Sequence, residues 1–308
     1  MLFNMGYIFY RHIETPEGNM FKHNRLINIF YIPALLLFIV FVICPFFKGI
    51  YLSFTNWNGY SRSFRMVGFS NYTRMLADEN VHIAFRNTLI YGLGSTIIQN
   101  VLGILLAVFL NQEFRGRSVV RTLIYLPVMI APLIMGYIMY FFFAYDRGAI
   151  NDVLQLLNIA PVDWLADGNR AVVILTLINS LQFVGISMVI YLAGLQNISA
   201  MYYDAAAVDG ASGIQRFLHI TLPLLTPSIT SSVTINLIGG LKLFDVVSSL
   251  TSGGPGYATH SLSTLIHRLY FGEERAGYAS AVGLVFFIFI MIVSNIVVRT
   301  LQKRQVQE

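Results

Sequence analysis

The chain has 308 residues, of which 56% are hydrophobic and only 11% charged, against about 25% charged in an ordinary soluble domain. Together with a mean hydropathy of +0.65, this excludes a soluble enzyme, and it excludes intrinsic disorder, which needs low hydrophobicity and high charge. With 24 Gly, 9 Pro and one Cys, collagen-like and disulfide-rich classes fall away too, leaving an integral membrane protein.

The net charge of +5 sits mainly in short segments between apolar runs, where Lys and Arg act as topology signals and not as a nucleic-acid patch. Cys44 stands alone in an apolar run, so no internal disulfide can form, and an inert buried thiol is expected.

A helix needs about 20 apolar residues to cross a bilayer. Six stretches qualify, at about 29–54, 83–110, 119–145, 171–195, 222–247 and 278–298. None alternates regularly in the way of a barrel strand, so the expected fold is an all-α membrane protein of six transmembrane helices. The expected organisation is a cytoplasmic tail (1–28), a six-span membrane domain (29–300) and a second cytoplasmic tail (301–308). The first span is too long for a cleaved signal and lacks a small-residue cleavage site, so it reads as an uncleaved anchor. Met20 opens MFKHNR and is an alternative start.

Basic residues set the orientation. Arg11, Lys22, Arg25, Arg115, Arg117, Arg121, Arg216, Arg299, Lys303 and Arg304 fall on one side. Arg62, Arg65, Arg74, Arg147, Arg170, Arg268 and Arg275 fall on the other. The first set is larger, which puts both termini in the cytoplasm.

The chain has no GxxxxGK[ST] loop and so no evident means of holding ATP phosphates. It has no HExxH, CxxC or GxSxG, and its six His are dispersed. No catalytic residue and no metal site is expected.

The most informative segment lies between spans four and five, NISAMYYDAAAVDGASGIQRFLHITLPLLTPS. It is too polar to span, yet it is patterned. Ser199 can cap a short helix through Ala207, and Gly210 can end it in the left-handed conformation. Ser212 and Gln215 have capping-box spacing for a second short helix, and Leu222-Pro223 should break that helix at the membrane edge. The expected product is a helix–turn–helix over 197–222 at the cytoplasmic surface. Ala205, Ala206 and Ala207 let a partner approach the backbone. Asp204 and Asp209 offer carboxylates to a basic partner, while Phe217, Leu218 and Ile220 can anchor on the bundle. A helix resting on lipid would instead want a Lys/Arg-rich face.

Asp204-Ala205-Ala206, Asp209-Gly210-Ala211, Phe217, Ile220-Thr221-Leu222-Pro223 and Pro227 resemble the cytoplasmic EAA loop of the permease subunits of bacterial ABC importers. Phe244-Asp245, Leu250-Thr251, Gly253-Gly254-Pro255 and Tyr278-Ala279-Ser280-Ala281 resemble the carbohydrate branch of that family, the maltose and glycerol-phosphate type. The likeness covers roughly residues 28–300. It departs in one place, where the family's Glu is Asp204 here, one methylene shorter.

The resemblance implies that Asp204, Ala205, Ala206, Asp209, Gly210 and Phe217 dock onto a separate ATPase. It implies a second homologous permease, two ATPase subunits that bind the ATP and Mg, and an extracytoplasmic solute-binding protein meeting the chain near Gly253-Gly254-Pro255. This chain itself needs no cofactor and binds no nucleic acid.

Polar residues inside spans are costly and mark candidate pathways. Gln182 and Asn236 fall mid-span, with Phe183 and Phe244 able to supply flat apolar faces for a sugar. The candidate solute residues are Gln182, Phe183, Asn236, Gly240 and Lys242. Asn179, Gln99 and Asn100 are more ordinary helix-packing polar groups. Lys242 and Asp245, three apart, are expected to pair. A phosphate solute would want Arg, and with only Lys242 available the reading tilts to a neutral sugar. The expected function is ATP-driven carbohydrate import by alternating access across the cytoplasmic membrane. The alternative is an ion-gradient-driven sugar transporter, which would need intramembrane carboxylates. A membrane-embedded enzyme finds no catalytic constellation.

Overall fold

A computed structural model describes residues 31–303. The tail 1–28 with Arg11, Lys22 and Arg25, the alternative start at Met20, and Arg304 near the C-terminus lie outside the described residues.

The first helix, α1 (Tyr31–Ser53), is a span by length and composition. It widens into a π turn at Ile39–Ile43, just before Pro45. Proline has no N–H to donate back and its ring crowds the carbonyl four residues earlier, which a wider turn relieves. Cys44 is exposed and not buried as expected. The chain divides into two compact units at Tyr51/Leu52.

In the second unit a short helix α2 (Ser70–Ala77) precedes four further helices that are long and apolar enough to cross a membrane. They are α3 (Glu79–Leu110), α7 (Gly168–Gln196), α10 with its short continuation α11 (together Thr226–Leu250), and α13 (Ala276–Gln302). Asp78 caps α3 by accepting from Asn80 N (3.0 Å), and Asp167 caps α7 by accepting from Arg170 N (2.7 Å).

The third expected span is not one helix. It is a pair, α4 (Arg117–Met129) and α5 (Pro132–Phe143), bent by 99° at their junction. Pro132 removes a backbone donor and biases Ala131 away from helix, and Ala131 is accordingly at ψ 133. The described residues therefore hold five clear spans, or six if this bent pair counts as one. The fifth span also differs from expectation. It starts at Thr226, four residues late, and its first helix ends at Leu241. The chain leaves helix over Lys242–Phe244 and resumes as α11 (Asp245–Leu250).

Small residues bring α3, α7 and α10 together. A Cβ on Gly240 would meet Tyr91 O at 2.9 Å and Gly92 Cα at 3.0 Å, and one on Gly103 would meet Met188 N at 3.2 Å. Such close approach is the usual means of helix association where lipid supplies no hydrophobic drive. The buried apolar residues gather around Leu175, Val246 and Leu250 where α7 meets α11, around Ala107, Tyr191, Leu192 and Leu225 at the other end of α7, and around Leu265, Tyr278 and Val282 along α13. Between α5 and α7, the buried Asn151 ties its loop by donating to Tyr145 O (3.1 Å) and Val162 O (2.9 Å) and accepting from Trp164 Nε1 (3.0 Å).

Candidate functional site

The segment joining α7 to α10 folds as two short helices. The first, α8 (Ala200–Val208), is capped by Ser199. It ends with Ala211 N donating to Ala206 O (2.9 Å) and Gly210 N to Ala207 O (3.1 Å). This pattern needs a left-handed residue after the last turn, and Gly210 supplies it at φ +75. The second, α9 (Gly213–Arg216), starts with a reciprocal capping box. Ser212 N donates to Gln215 Oε1 (2.7 Å) and Gln215 N to Ser212 Oγ (3.4 Å). Both features are as the residues predict.

The exit differs. Leu222-Pro223 does not break the chain; a π turn at Phe217–Thr221 leads into Leu222–Leu224, with Pro223 in the first turn. There its missing donor leaves no helical bond unmade.

Asp204, Ala205, Ala207, Asp209 and Gly210 are exposed, and Ala206 is half-buried. Beside them the apolar side chains of Met201, Val208 and Ile214 are also exposed, Val208 by 89%. The loop is held from its other side. Tyr203 OH bonds Thr221 Oγ1 (3.0 Å), and Phe217, half-buried, borders a cleft of about 460 Å³ with Val108, Leu195 and Arg216. Leu218 is 49% exposed, so of the three expected anchors it does not serve.

Mid-bundle, a second cavity of about 200 Å³ is lined by residues of α3, α7, α10 and α11, among them Gln99, Asn179, Phe183, Asn236, Lys242 and Phe244. Phe183, Asn236, Gly240 and Lys242 thus come together as the sequence reading has them. Gly240 borders the cavity, but its missing side chain serves the contact with α3; a Cβ on its neighbour Gly239 would meet nothing within 4 Å. Asn236 is buried, and its Nδ2 donates to Ser187 Oγ (2.6 Å).

Gln182 is not part of this cavity. It borders a separate apolar one with Met135, Met139 and Trp164, and its Nε2 donates to Ile130 O at the α4–α5 bend (3.0 Å). One residue of helical rotation separates Gln182 from Phe183, and that rotation sends the amide to the bend and the ring to the cavity.

Gln99 takes its place. Its Nε2 donates to Asn179 O on α7 (3.0 Å), while its buried Oε1 has no partner among the described residues. The sequence alone places Gln99 among the packing residues. The only signal against that was its register, since helix α3 turns it towards Asn179.

Its neighbour Asn100 does pack. Its Nδ2 donates to Thr96 O (2.7 Å), and its Oδ1 accepts from Tyr191 OH and from Ser232 Oγ. Lys242 and Asp245 are both exposed at the cavity, but the expected ion pair does not form. The helix stops between them, so their three-residue spacing no longer places them on one face. The two ion pairs among the described residues both belong to Glu273.

The Gly253-Gly254-Pro255 segment is a tight turn, with Gly253 at φ +85 and Gly256 at φ +60. Arg268 braces it, lying 4.0 Å over the Tyr257 ring and donating to Gly256 O (3.4 Å). Tyr257 OH donates to Glu273 Oε1 (2.7 Å), which pushes the Tyr257 pKa up. His260, 3% exposed, packs beneath the turn. Burial, and then the Arg268 charge, push its pKa down to about 4.

Comparison with known proteins identifies the family and the fold. The sequence pattern of the family "Binding-protein-dependent transport system inner membrane component" matches residues 99–307. The multiple sugar-binding transport system permease protein MsmF of Streptococcus mutans is 34% identical over 90% of this chain and 95% of its own. The probable starch degradation products transport system permease protein AmyD of Thermoanaerobacterium thermosulfurigenes is 32% identical over 95% and 99%. Among solved structures, a chain of a bacterial ABC transporter involved in the import of the acidic polysaccharide alginate superposes with a TM-score of 0.79. It is 25% identical, covering 91% of this chain and 96% of that one. These relatives are ABC permeases and not gradient-driven transporters. The chain belongs to the binding-protein-dependent transport system inner membrane components, the multi-pass permease subunits of ABC importers.

Proposed function

We propose that this chain forms one half of the pore of an importer that carries a carbohydrate, with a neutral sugar or oligosaccharide as its solute. A second, homologous permease completes the pore. Two ATPase subunits bind ATP and Mg at the cytoplasmic side, and an extracytoplasmic binding protein delivers the sugar. The permease domain runs from 29 to 300 in the inner membrane with both termini cytoplasmic. The loop over 197–222 is the ATPase-docking element, with Asp204, Ala205, Ala206, Asp209 and Gly210 at the contact and Phe217 behind it.

The observation that carries this reading is the loop itself. Two short helices closed by local caps hold two carboxylates and three apolar side chains outward, while Tyr203 ties the first of them to Thr221 in the following turn and Phe217 borders a cleft with Val108 of α3 and Leu195 of α7. A partner's closure is thereby transmitted to α7 and α10, and the cavity alternates its access. The solute chemistry rests on the relatives' names and on the lining, which offers amides and aromatic faces with one cation and one anion. At about 200 Å³ the cavity is smaller than the roughly 300–1,000 Å³ of complete small-molecule sites, in keeping with a pathway shared between two subunits.

Asp204→Lys tests the docking role. ATP-driven uptake by the reconstituted complex is expected to be abolished while the chain remains in the membrane, and normal uptake would refute it. Asn236→Leu is expected to lower the rate or narrow the range of sugars carried without loss of assembly; unchanged rate and preference would make Asn236 a packing residue only.

A further inference from the structure

A buried amide oxygen without a partner is uncommon in a folded chain and is costly, because the group has left water without gaining a replacement bond. Gln99 Oε1 is such an oxygen, in a side chain only 1% exposed. Its amide nitrogen is fixed by the bond to Asn179 O. Turning the amide over would set two oxygens against each other, so the orientation is determined and the unspent group is an acceptor. The side chain borders the cavity, and Phe183, one turn beyond Asn179 on α7, borders the same space. Asn100, next to Gln99 on α3, has every polar atom engaged within the bundle. Gln182 Oε1 on α7 is a second buried amide oxygen without a partner among the described residues, but it borders the separate apolar cavity; of the two, only Gln99 borders the cavity lined by Phe183 and Asn236.

We propose that Gln99 is a specificity-determining residue of the translocation site, its Oε1 accepting a hydrogen bond from a hydroxyl of the solute while the Phe183 ring meets an apolar sugar face. This rests on the carbohydrate-importer reading and deepens it. The site requires a donor at that point. A sugar hydroxyl supplies one, whereas a carboxylate or phosphate group placed at that point would offer only further acceptors and be repelled. A site built to engage one hydroxyl discriminates strongly against an analogue lacking it, because its own polar group is left unpaired.

The test uses the complex of this chain with its partner permease, ATPases and binding protein in proteoliposomes. The probes are tritiated maltotriose and its series of monodeoxy and monodeoxyfluoro analogues. In the wild type, one hydroxyl is expected whose removal lowers kcat/KM about tenfold, the equivalent of one hydrogen bond of about 1.4 kcal/mol. Fluorine at that position should not rescue, because it accepts and cannot donate. In Gln99→Met the penalty for that hydroxyl should vanish, with KM for maltotriose raised about tenfold.

A flat analogue profile, rescue by fluorine, or a penalty that persists in Gln99→Met would each overturn the proposal. So would a complex that carries none of the neutral probes. The wild-type fluorine result stands even if the variant fails to assemble. Uptake by the wild type that does not require ATP would strike the importer reading itself, whereas ATP-driven uptake with a flat profile strikes only Gln99.

Discussion

The loop between α7 and α10 and the polar seam inside the bundle are built from the same kinds of side chain, and they differ in how far along the chain each bond reaches. In the loop, Ser212 pairs with Gln215 three residues away and Ala211 with Ala206 five away. In the seam, Asn100 holds Tyr191 and Ser232, which are 91 and 132 residues distant, and Asn236 holds Ser187, 49 distant. The loop can form from its own sequence and present its carboxylates to another chain. The seam exists only once three spans have met, and it fixes their rotation. The loop is therefore suited to being moved as a body, and the seam to keeping α3, α7 and α10 in register while it moves.

His260 has the burial of the seam and the locality of the loop, since its Nδ1 bonds Thr264 Oγ1 four residues on (2.9 Å). It gives the largest predicted effect. Its pKa is about 4 when folded against 6.5 ordinarily, so below pH 6.5 the unfolded chain takes up a proton that the folded chain refuses. The contribution is fully present above pH 6.5 and is lost as pH falls towards 4, by at most about 3 kcal/mol at 1.36 kcal/mol per unit. Thermal unfolding of the purified protein across pH 4–7 should show this slope, and His260→Gln should flatten it.

Next in size, Asn100→Leu removes the acceptor of two buried hydroxyls. At about 1 kcal/mol for each interhelical bond lost, the protein should unfold about 2 kcal/mol more easily, with all three spans loosening together. If hydrogen exchange instead rises in α3 alone, the seam is not a single unit. The smallest effects belong to the loop. Gly210→Ala places a Cβ in the left-handed region, at about 1 kcal/mol, and Ser212→Ala removes half the capping box, also at about 1 kcal/mol. Both should raise amide exchange between residues 200 and 221 and leave the global unfolding temperature unchanged. A shift in that temperature would show that the loop and seam are not energetically separate.

The same difference in range explains what could be read in advance. Gly210 and the Ser212–Gln215 box are local signals, and the segment that carries the family's loop pattern was legible residue by residue. Span existence was legible from apolar length, but continuity was not. Pro132 splits the third span and a non-helical step at Lys242–Phe244 splits the fifth, so the spacing that suggested a Lys242–Asp245 pair assumed a helix that ends there. Gln182 and Gln99 exchanged roles for a similar reason. Both are mid-span amides that donate to a carbonyl of a neighbouring element, and only the rotation of each helix decides that Gln182 borders the apolar cavity by the α4–α5 bend and Gln99 the polar one. Periodicity identifies an apolar stripe, but in a helix apolar on most sides it does not say which side faces a partner.

Mass spectrometry of the proteins that co-purify with this chain from gently solubilised native membranes is the most direct test of the proposal that it is one permease of a heteromeric, ATP-driven importer. The account predicts an ATPase subunit carrying a phosphate-binding loop together with a second, homologous multi-span permease. In Asp204→Lys membranes the ATPase alone should be lost or weakened. A chain that purifies by itself, or only with copies of itself, would contradict it.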